Sequence, residues 1–310
     1  MKTKVKKPGH FRKNKELFFL SLPAIIVILI FNYLPMAGIT IAFREINYGM
    51  GPLHIFFGGK WVGFENFRFF FESQDAFRIT RNTILLNASF IVLGTIVSLI
   101  TALFLNELSR KAVKRYQTIF FFPYFLSWIV IGYLVYGFLH PDFGVINNII
   151  TSLGFAKVNW YMVPGYWPAI LILTYLWKTV GYTAIIYYTG VMGIDVSYYE
   201  AADIDGATKL QQVKHITLPM LAPLLVMMTL LSIGRIFYAD FGLFFFVPRD
   251  IGMLYPTTDV IDTYVYRSLR VMGDLGMASA VGFYQSIVGF VLVLLSNLLV
   301  RKVSAEHALF

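Results

Sequence analysis

Between residues 193 and 219 the chain reads Gly193-Ile194-Asp195-Val196-Ser197-Tyr198-Tyr199-Glu200-Ala201-Ala202-Asp203-Ile204-Asp205-Gly206-Ala207-Thr208, then Lys209 through His215, then Ile216-Thr217-Leu218-Pro219. The pattern is that of two short helices joined by a glycine turn. Ser197 and Glu200 have the S-x-x-E spacing in which a hydroxyl and a carboxylate satisfy the free N–H groups of a helix start. Thr208 and Gln211 repeat that logic for a second helix. Gly206 permits the positive φ that ends the first helix, and Pro219 fits the first turn of the helix that follows, where a missing N–H costs nothing. On these grounds alone the segment is either a well-capped connection, with Glu200 serving only as a cap, or a surface with a task of its own.

What flanks it is apolar on both sides. The chain has 310 residues, 57% of them hydrophobic and 14% charged, with mean hydropathy +0.67. Ordinary soluble domains carry roughly 25% charged residues. A membrane span needs roughly 20 apolar residues to cross about 30 Å of hydrocarbon, and six segments qualify: about 17–43, 83–106, 116–139, 166–192, 219–247 and 279–300. Each is expected to be helical, because only helices and closed barrels satisfy their backbone in lipid. The alternation of barrel strands is not seen.

Charge then orients the spans. Lys2, Lys4, Lys6, Lys7, Arg12, Lys13 and Lys15 precede the first run, and the short loop 107–115 carries Arg110, Lys111, Lys114 and Arg115. With the N-terminus inside, the inner segments 1–16, 107–115, 193–218 and 301–310 hold 15 basic against 7 acidic residues, and the outer segments hold 9 of each. This asymmetry obeys the positive-inside rule and places both termini in the cytoplasm. The formal charge of +9 is therefore a topology signal and not a nucleic-acid footprint. The run 17–43 is about twice a signal-peptide h-region, so no cleaved leader is expected. The organisation expected is a basic N-terminus (1–16), one six-helix membrane domain (17–300) and a cytoplasmic tail (301–310). The long outer segment 44–82, with Trp61, Phe64, Phe67, Phe69, Phe70 and Phe71, reads as an interfacial aromatic belt.

Several function classes are excluded. The chain has no cysteine, and its five histidines are scattered without ligand spacing, so no metal site or thiol chemistry is expected. No phosphate-binding loop exists; Gly58-Gly59-Lys60-Trp61 lacks the leading glycine and the hydroxyl residue. No paired catalytic carboxylates or nucleophile–base pair stands out, and no cofactor is implied.

The spacing Glu200-Ala201-Ala202, three residues, Gly206, nine residues, Ile216, one residue, Leu218-Pro219 resembles the EAA loop of binding-protein-dependent ABC permeases, and it lies between the fourth and fifth of six spans as in that family. Trp61-Val62-Gly63-Phe64-Glu65-Asn66-Phe67 is similar to a segment after the first span of sugar permeases. The runs Ile236–Phe244 and Tyr255–Tyr266 resemble a subgroup associated with fragments of complex plant or algal polysaccharides. The resemblance covers nearly the whole chain. It implies an all-α permease of the type I ABC importer fold in a bacterial cytoplasmic membrane. It also implies two cytoplasmic ATPase subunits docking on the loop, a second homologous permease forming a heterodimer, and an extracytoplasmic solute-binding protein that delivers an oligosaccharide. Glu200, Ala201, Ala202, Gly206, Leu218 and Pro219 would then carry the coupling to ATP hydrolysis.

Two basic residues lie inside apolar runs, Lys178 and Arg235. A charge at the centre of a span costs roughly 2.5–3.5 kcal/mol on insertion scales and marks a functional site by default. Tyr175, Thr179 and Tyr182 share the helical face of Lys178, and Ser232 and Tyr238 adjoin Arg235; the resemblance places these stretches around a central pocket. Two roles stay open: an ion pair with Asp240 or with a partner subunit, or a site for a carboxylate-bearing sugar. A stand-alone secondary transporter or channel is the competing class. It would need intramembrane coupling carboxylates, for which Asp240 is the one candidate, and it would leave the 193–219 segment without a purpose.

Overall fold

The computed structural model describes residues 15–46, 51 and 58–303. Most of the two expected cytoplasmic tails, 1–14 and 304–310, lies outside the described residues. Among those described, helices account for every element of regular structure apart from one antiparallel bridge between Arg44 and Trp61.

Five helices are long and apolar enough to cross a membrane: Lys15–Phe43, Asp75–Asn106, Pro164–Met192, Lys209–Ile233 and Leu275–Lys302. The sixth is a bent pair, Arg110–Phe125 and Trp128–Leu139, at 99° to each other. The six-span count therefore holds only with the third span folded at its middle. In chain order the helices are α1 (Lys15–Ile28), α2 (Glu65–Glu72), α3 (Gln74–Asn106), α4 (Arg110–Phe121), α5 (Trp128–Leu139), α6 (Val145–Ser152), α7 (Trp167–Met192), α8 (Val196–Ile204), α9 (Lys209–Gln212), α10 (Leu218–Ile233), α11 (Phe241–Phe246), α12 (Tyr255–Thr258), α13 (Ile261–Arg270) and α14 (Leu275–Val303). The run expected as one span over 219–247 is thus two helices, α10 and α11, with an unwound stretch between them.

α3 and α7 pack along most of their lengths, and α4, α10 and α11 gather around that pair. Helices in lipid lack a hydrophobic drive to associate, so small residues that admit close backbone approach decide where they meet. Gly181 of α7 shows this most clearly: a Cβ there would fall 1.9 Å from the Phe120 carbonyl oxygen of α4. Gly132 of α5 is similar, 2.6 Å from the Phe246 carbonyl.

The outer half of the core joins Leu86, Phe90, Ile131, Trp167, Leu171, Leu243 and Val247. The first span stands apart. α1 buries no residue, and only the tight helical stretch Leu34–Phe43 seats against α14, through Ala42, Phe67 and Ala280. The aromatic segment after it partly fits the expected belt. Trp61, Phe64 and Phe71 are exposed, Phe67 is buried, and Phe43 stacks on Trp61 at 5.4 Å.

On the outer side, α12 and α13 are fastened to the start of α3 by charge. Arg267 bonds Asp250 at 2.9 Å and also reaches Asp259, which pairs with Arg78 at 3.4 Å. Asn82 donates to the carbonyls of Pro256 and Asp259. Arg249 and Asp250 both adopt positive φ, 61° and 50°, in the turn that delivers Asp250 to Arg267.

Candidate functional site

The two interrupted spans meet around one intramembrane cavity of about 630 Å³. In the third span, α4 stops at Phe121 and a tight turn, Phe122–Phe125, carries Pro123 near its start. Proline has no N–H and cannot extend the helical ladder. Ser127 is extended, and its hydroxyl takes the Val130 N–H at 3.4 Å. In a straight helix that N–H would go to the Leu126 carbonyl, four residues earlier.

In the fifth span α10 ends at Gly234, and a Cβ there would lie 2.9 Å from Val293. The chain then runs in turns until Asp240, whose carboxylate accepts from the Gly242 N–H at 3.0 Å and starts α11. Backbone groups freed at membrane depth need new partners. Here they come from distant side chains. Asn87 of α3 donates to the Ile236 carbonyl at 2.7 Å, Gln285 of α14 donates to the Phe237 carbonyl, and Asp262 of α13 accepts from the Ala239 N–H at 2.8 Å. Burial raises the Asp262 carboxyl above its ordinary range, against the bonds from Ala239 and Gln285 that favour its charge. Sequence reasoning did not single out these three residues. Asn87 and Gln285 carried a legible signal, since each is an amide inside an apolar run.

Of the residues expected on the substrate pathway, Tyr175, Thr179, Tyr182, Ser232, Arg235 and Tyr238 all line the cavity, together with Tyr124 and Asp240. The tyrosine rings are held face to face: Tyr175 on Phe90 at 4.2 Å and Tyr124 on Tyr182 at 4.6 Å. Tyr238 shares a 3.1 Å hydrogen bond with Ser286. Arg235 is exposed to the cavity, and among the described residues its guanidinium has neither an ion pair nor a hydrogen bond. Lys178 is different. It is buried, it is absent from the cavity wall, and its ammonium donates to the carbonyls of Tyr124 and Leu126. Asp240 pairs with neither base; its second oxygen accepts from the Trp128 indole at 2.7 Å.

The 193–219 segment forms a braced knob at the other end of α7. Thr208 and Gln211 cap α9 reciprocally, as their spacing implies, and Gly206 has φ of 75°. Leu218 opens α10 and Pro219 lies in its first turn. The first cap differs from expectation. Asp195, not Ser197, starts α8, by accepting from the Ser197 N–H at 2.9 Å. The physical cause lies one residue earlier: Ile194 is buried against Val191 and Leu221, which brings the chain into extended geometry at Asp195. The same bond holds the Asp195 carboxyl below its usual range. Glu200 and Ala201 are exposed and Ala202 is half-buried. Gln212 donates to Asp203, and Tyr199 bonds Thr217 at 2.9 Å, so the two short helices are tied to each other and to the root of α10. Ile204 and Leu210, 87% and 77% exposed, point away from this brace.

A multi-pass helical membrane protein with broken spans around a polar cavity, and a rigid knob between its fourth and fifth spans, belongs to the class of membrane transport components. Residues 91–305 match the model of the binding-protein-dependent transport system inner membrane component, and the chain belongs to that family. It is 31% identical over 296 residues to Protein LplB of Bacillus subtilis (strain 168), covering 95% of this chain and 91% of the relative. It is 32% identical over 295 residues to the polygalacturonan/rhamnogalacturonan transport system permease protein YteP of the same organism, covering 95% and 90%. Among solved structures, a subunit of a bacterial ABC transporter involved in import of the acidic polysaccharide alginate superposes with TM-score 0.86 at 32% identity, covering 95% of this chain and 98% of that one. The ABC importer permease fold expected from the EAA loop is the fold observed, and the chain is a transport subunit.

Proposed function

We propose that this permease moves a carboxylate-bearing oligosaccharide inward across a bacterial cytoplasmic membrane, receiving it from an extracytoplasmic solute-binding protein. The observation that carries the reading is the guanidinium of Arg235, unpaired among the described residues, in a cavity walled by tyrosines. A guanidinium can grip a carboxylate through two parallel hydrogen bonds, and aromatic faces suit sugar rings. Tyr175, Tyr182, Tyr238, Thr179 and Ser232 supply hydroxyls around it. Two relatives point the same way, one named for polygalacturonan and rhamnogalacturonan, the other an importer of the acidic polysaccharide alginate.

The energy enters through the knob. Two cytoplasmic ATPase subunits would dock on Glu200, Ala201, Ala202 and Gly206, with exposed Ile204 and Leu210 adding apolar area. Leu218 and Pro219 pass the movement into α10. A second, homologous permease would complete the cavity and cover part of the exposed first span. A stand-alone transporter or channel is disfavoured because Asp240, its candidate coupling carboxylate, is engaged by Trp128 and Gly242.

The test uses the reconstituted transporter with its binding protein. R235Q should reduce uptake of tetragalacturonate about tenfold or more, the range set by one hydrogen bond to a charged group, and leave a neutral tetrasaccharide little changed. Equal loss for both cargoes would overturn the acidic-sugar reading.

A further inference from the structure

Lys178 and Arg235 look alike in the sequence, as two bases at membrane depth, yet the structure gives them different surroundings. The Lys178 ammonium lies 2.9 Å from the Tyr124 carbonyl oxygen and also contacts that of Leu126. Both acceptors sit in the break of the third span. The donor that Leu126 would meet in a straight helix, the Val130 N–H, is held by Ser127 instead. The ammonium has three N–H groups and no acceptor capacity. Two are taken by carbonyls, and the rings of Trp128 and Tyr124 stand 5.1 and 5.6 Å from the nitrogen. Among the described residues no carboxylate lies within ion-pair distance of it, although the Asp240 charge acts on it from farther away.

The neighbouring positions of α7 act on the same segment. Tyr182, one turn on, stacks on the Tyr124 ring, and Gly181 lets the Phe120 carbonyl approach closer than any side chain would allow. Tyr124 is therefore gripped twice from α7, by its carbonyl through Lys178 and by its ring through Tyr182. That ring pair forms part of the cavity wall. Trp128, the first residue beyond the break, carries the connection on to Asp240 at the break of the fifth span.

We propose that Lys178 is a positioning residue: it supplies the hydrogen-bond donors that the broken third span lacks, and so fixes the Tyr124–Tyr182 pair on the cavity wall without touching cargo. What the site requires of residue 178 is donated N–H groups, with its charge secondary. The attraction of an ammonium for nearby rings is worth less than leaving a buried carbonyl unpaired. The assignment is independent of the cargo reading, since a neutral or acidic sugar would meet the same wall.

Glutamine separates the two roles, because its amide is neutral yet carries two donors. The experiment is amide hydrogen exchange, read by mass spectrometry on the assembled transporter in nanodiscs, beside stimulated ATP hydrolysis. K178M should raise exchange over residues 122–131 about tenfold or more, the factor expected for an unpaired buried carbonyl. The outer block around Arg267 should not change. The maximal stimulated rate should fall while the half-saturating concentration of loaded binding protein stays constant. K178Q should stay within about threefold of the parent in exchange and rate, the loss of a weak ring contact. If K178M does not assemble, K178Q alone decides, with parent-like exchange supporting the donor role. Raised exchange in K178Q, or unchanged exchange in K178M, overturns the proposal. The exchange readout needs no cargo, so its failure is distinct from failure of the acidic-sugar reading.

Discussion

The indole N–H of Trp128 donates to the Asp240 carboxylate at 2.7 Å, joining the break in the third span to the break in the fifth. With Asp240 in the cavity wall, the bond couples the two places where backbone is irregular. A hydrogen bond to a charged group contributes roughly 1.5–3 kcal/mol. W128F and D240N should each lower the melting temperature of the solubilised transporter. The double variant should recover about 1–3 kcal/mol relative to additivity, as contacting residues do. Strict additivity in that cycle would mean that the two breaks are independent.

The knob makes a separate expectation for coupling. Gly206 sits at φ 75° with open space around it, so backbone conformation, not crowding, is what excludes a side chain there. G206V should strain the turn by about 1–2 kcal/mol, whereas G206N should be tolerated, since asparagine visits this region. E200K leaves the fold unaltered because Glu200 is exposed. In reconstituted vesicles G206V and E200K should lose stimulation of ATP hydrolysis by the binding protein while insertion persists. Full stimulation in both would remove the docking role from the segment.

Two glycines of the membrane core give a matched comparison. G181A places a methyl group 1.9 Å from the Phe120 carbonyl and should cost about 2–3 kcal/mol or prevent assembly, in the manner of an overpacked core. Gly137 in α5 has nothing within 4 Å of its would-be Cβ, so G137A should be neutral or stabilising by up to about 1 kcal/mol through helix propensity. Yield after size-exclusion chromatography distinguishes them, and similar behaviour of the pair would contradict the α4–α7 contact.

The raised carboxyl of Asp262 implies a pH dependence of defined sign. A carboxyl whose folded pKa exceeds its unfolded value of about 3.9 favours the folded state when protonated. That advantage is complete below the unfolded value and is lost as pH rises through the folded one. The stability of the parent relative to D262N should therefore decline as pH rises above about 4 and then level off. A difference that grows with pH would mean that the Ala239 and Gln285 bonds outweigh burial.

Orientation can be checked with single cysteines, convenient because the chain has none. Impermeant thiol reagents added from outside should label S73C but not S109C or S197C. Ser268, within α13 of the outer segment, is fully buried, so M272C, at a position 60% exposed, is the better outer probe. Outside labelling at position 197 would invert the topology.

The sequence by itself determined the parts of this protein that depend on local chemistry. Hydropathy adds up along the chain, so six apolar runs declare six crossings. The Thr208–Gln211 cap, the Gly206 turn and the Pro219 start are each complete within a few residues, and each has the geometry its spacing implies. Even there, one tertiary contact intervened: Ile194, packed on Leu221, moved the cap of α8 from Ser197 to Asp195.

The character of the cavity was decided only by the tertiary structure. Proline at 123 and glycine at 234 hinted at weak points, but most membrane helices accommodate such residues by repairing the freed backbone groups. Whether a span breaks depends on donors and acceptors brought from elsewhere, Lys178 from 54 positions away and Asn87 from 149. For the same reason two bases that read alike diverge: Lys178 meets two carbonyls that a bend has left without N–H partners, and Arg235 meets open space. A carbonyl becomes an acceptor in need only once its own helix has failed, and no pattern along the chain records that.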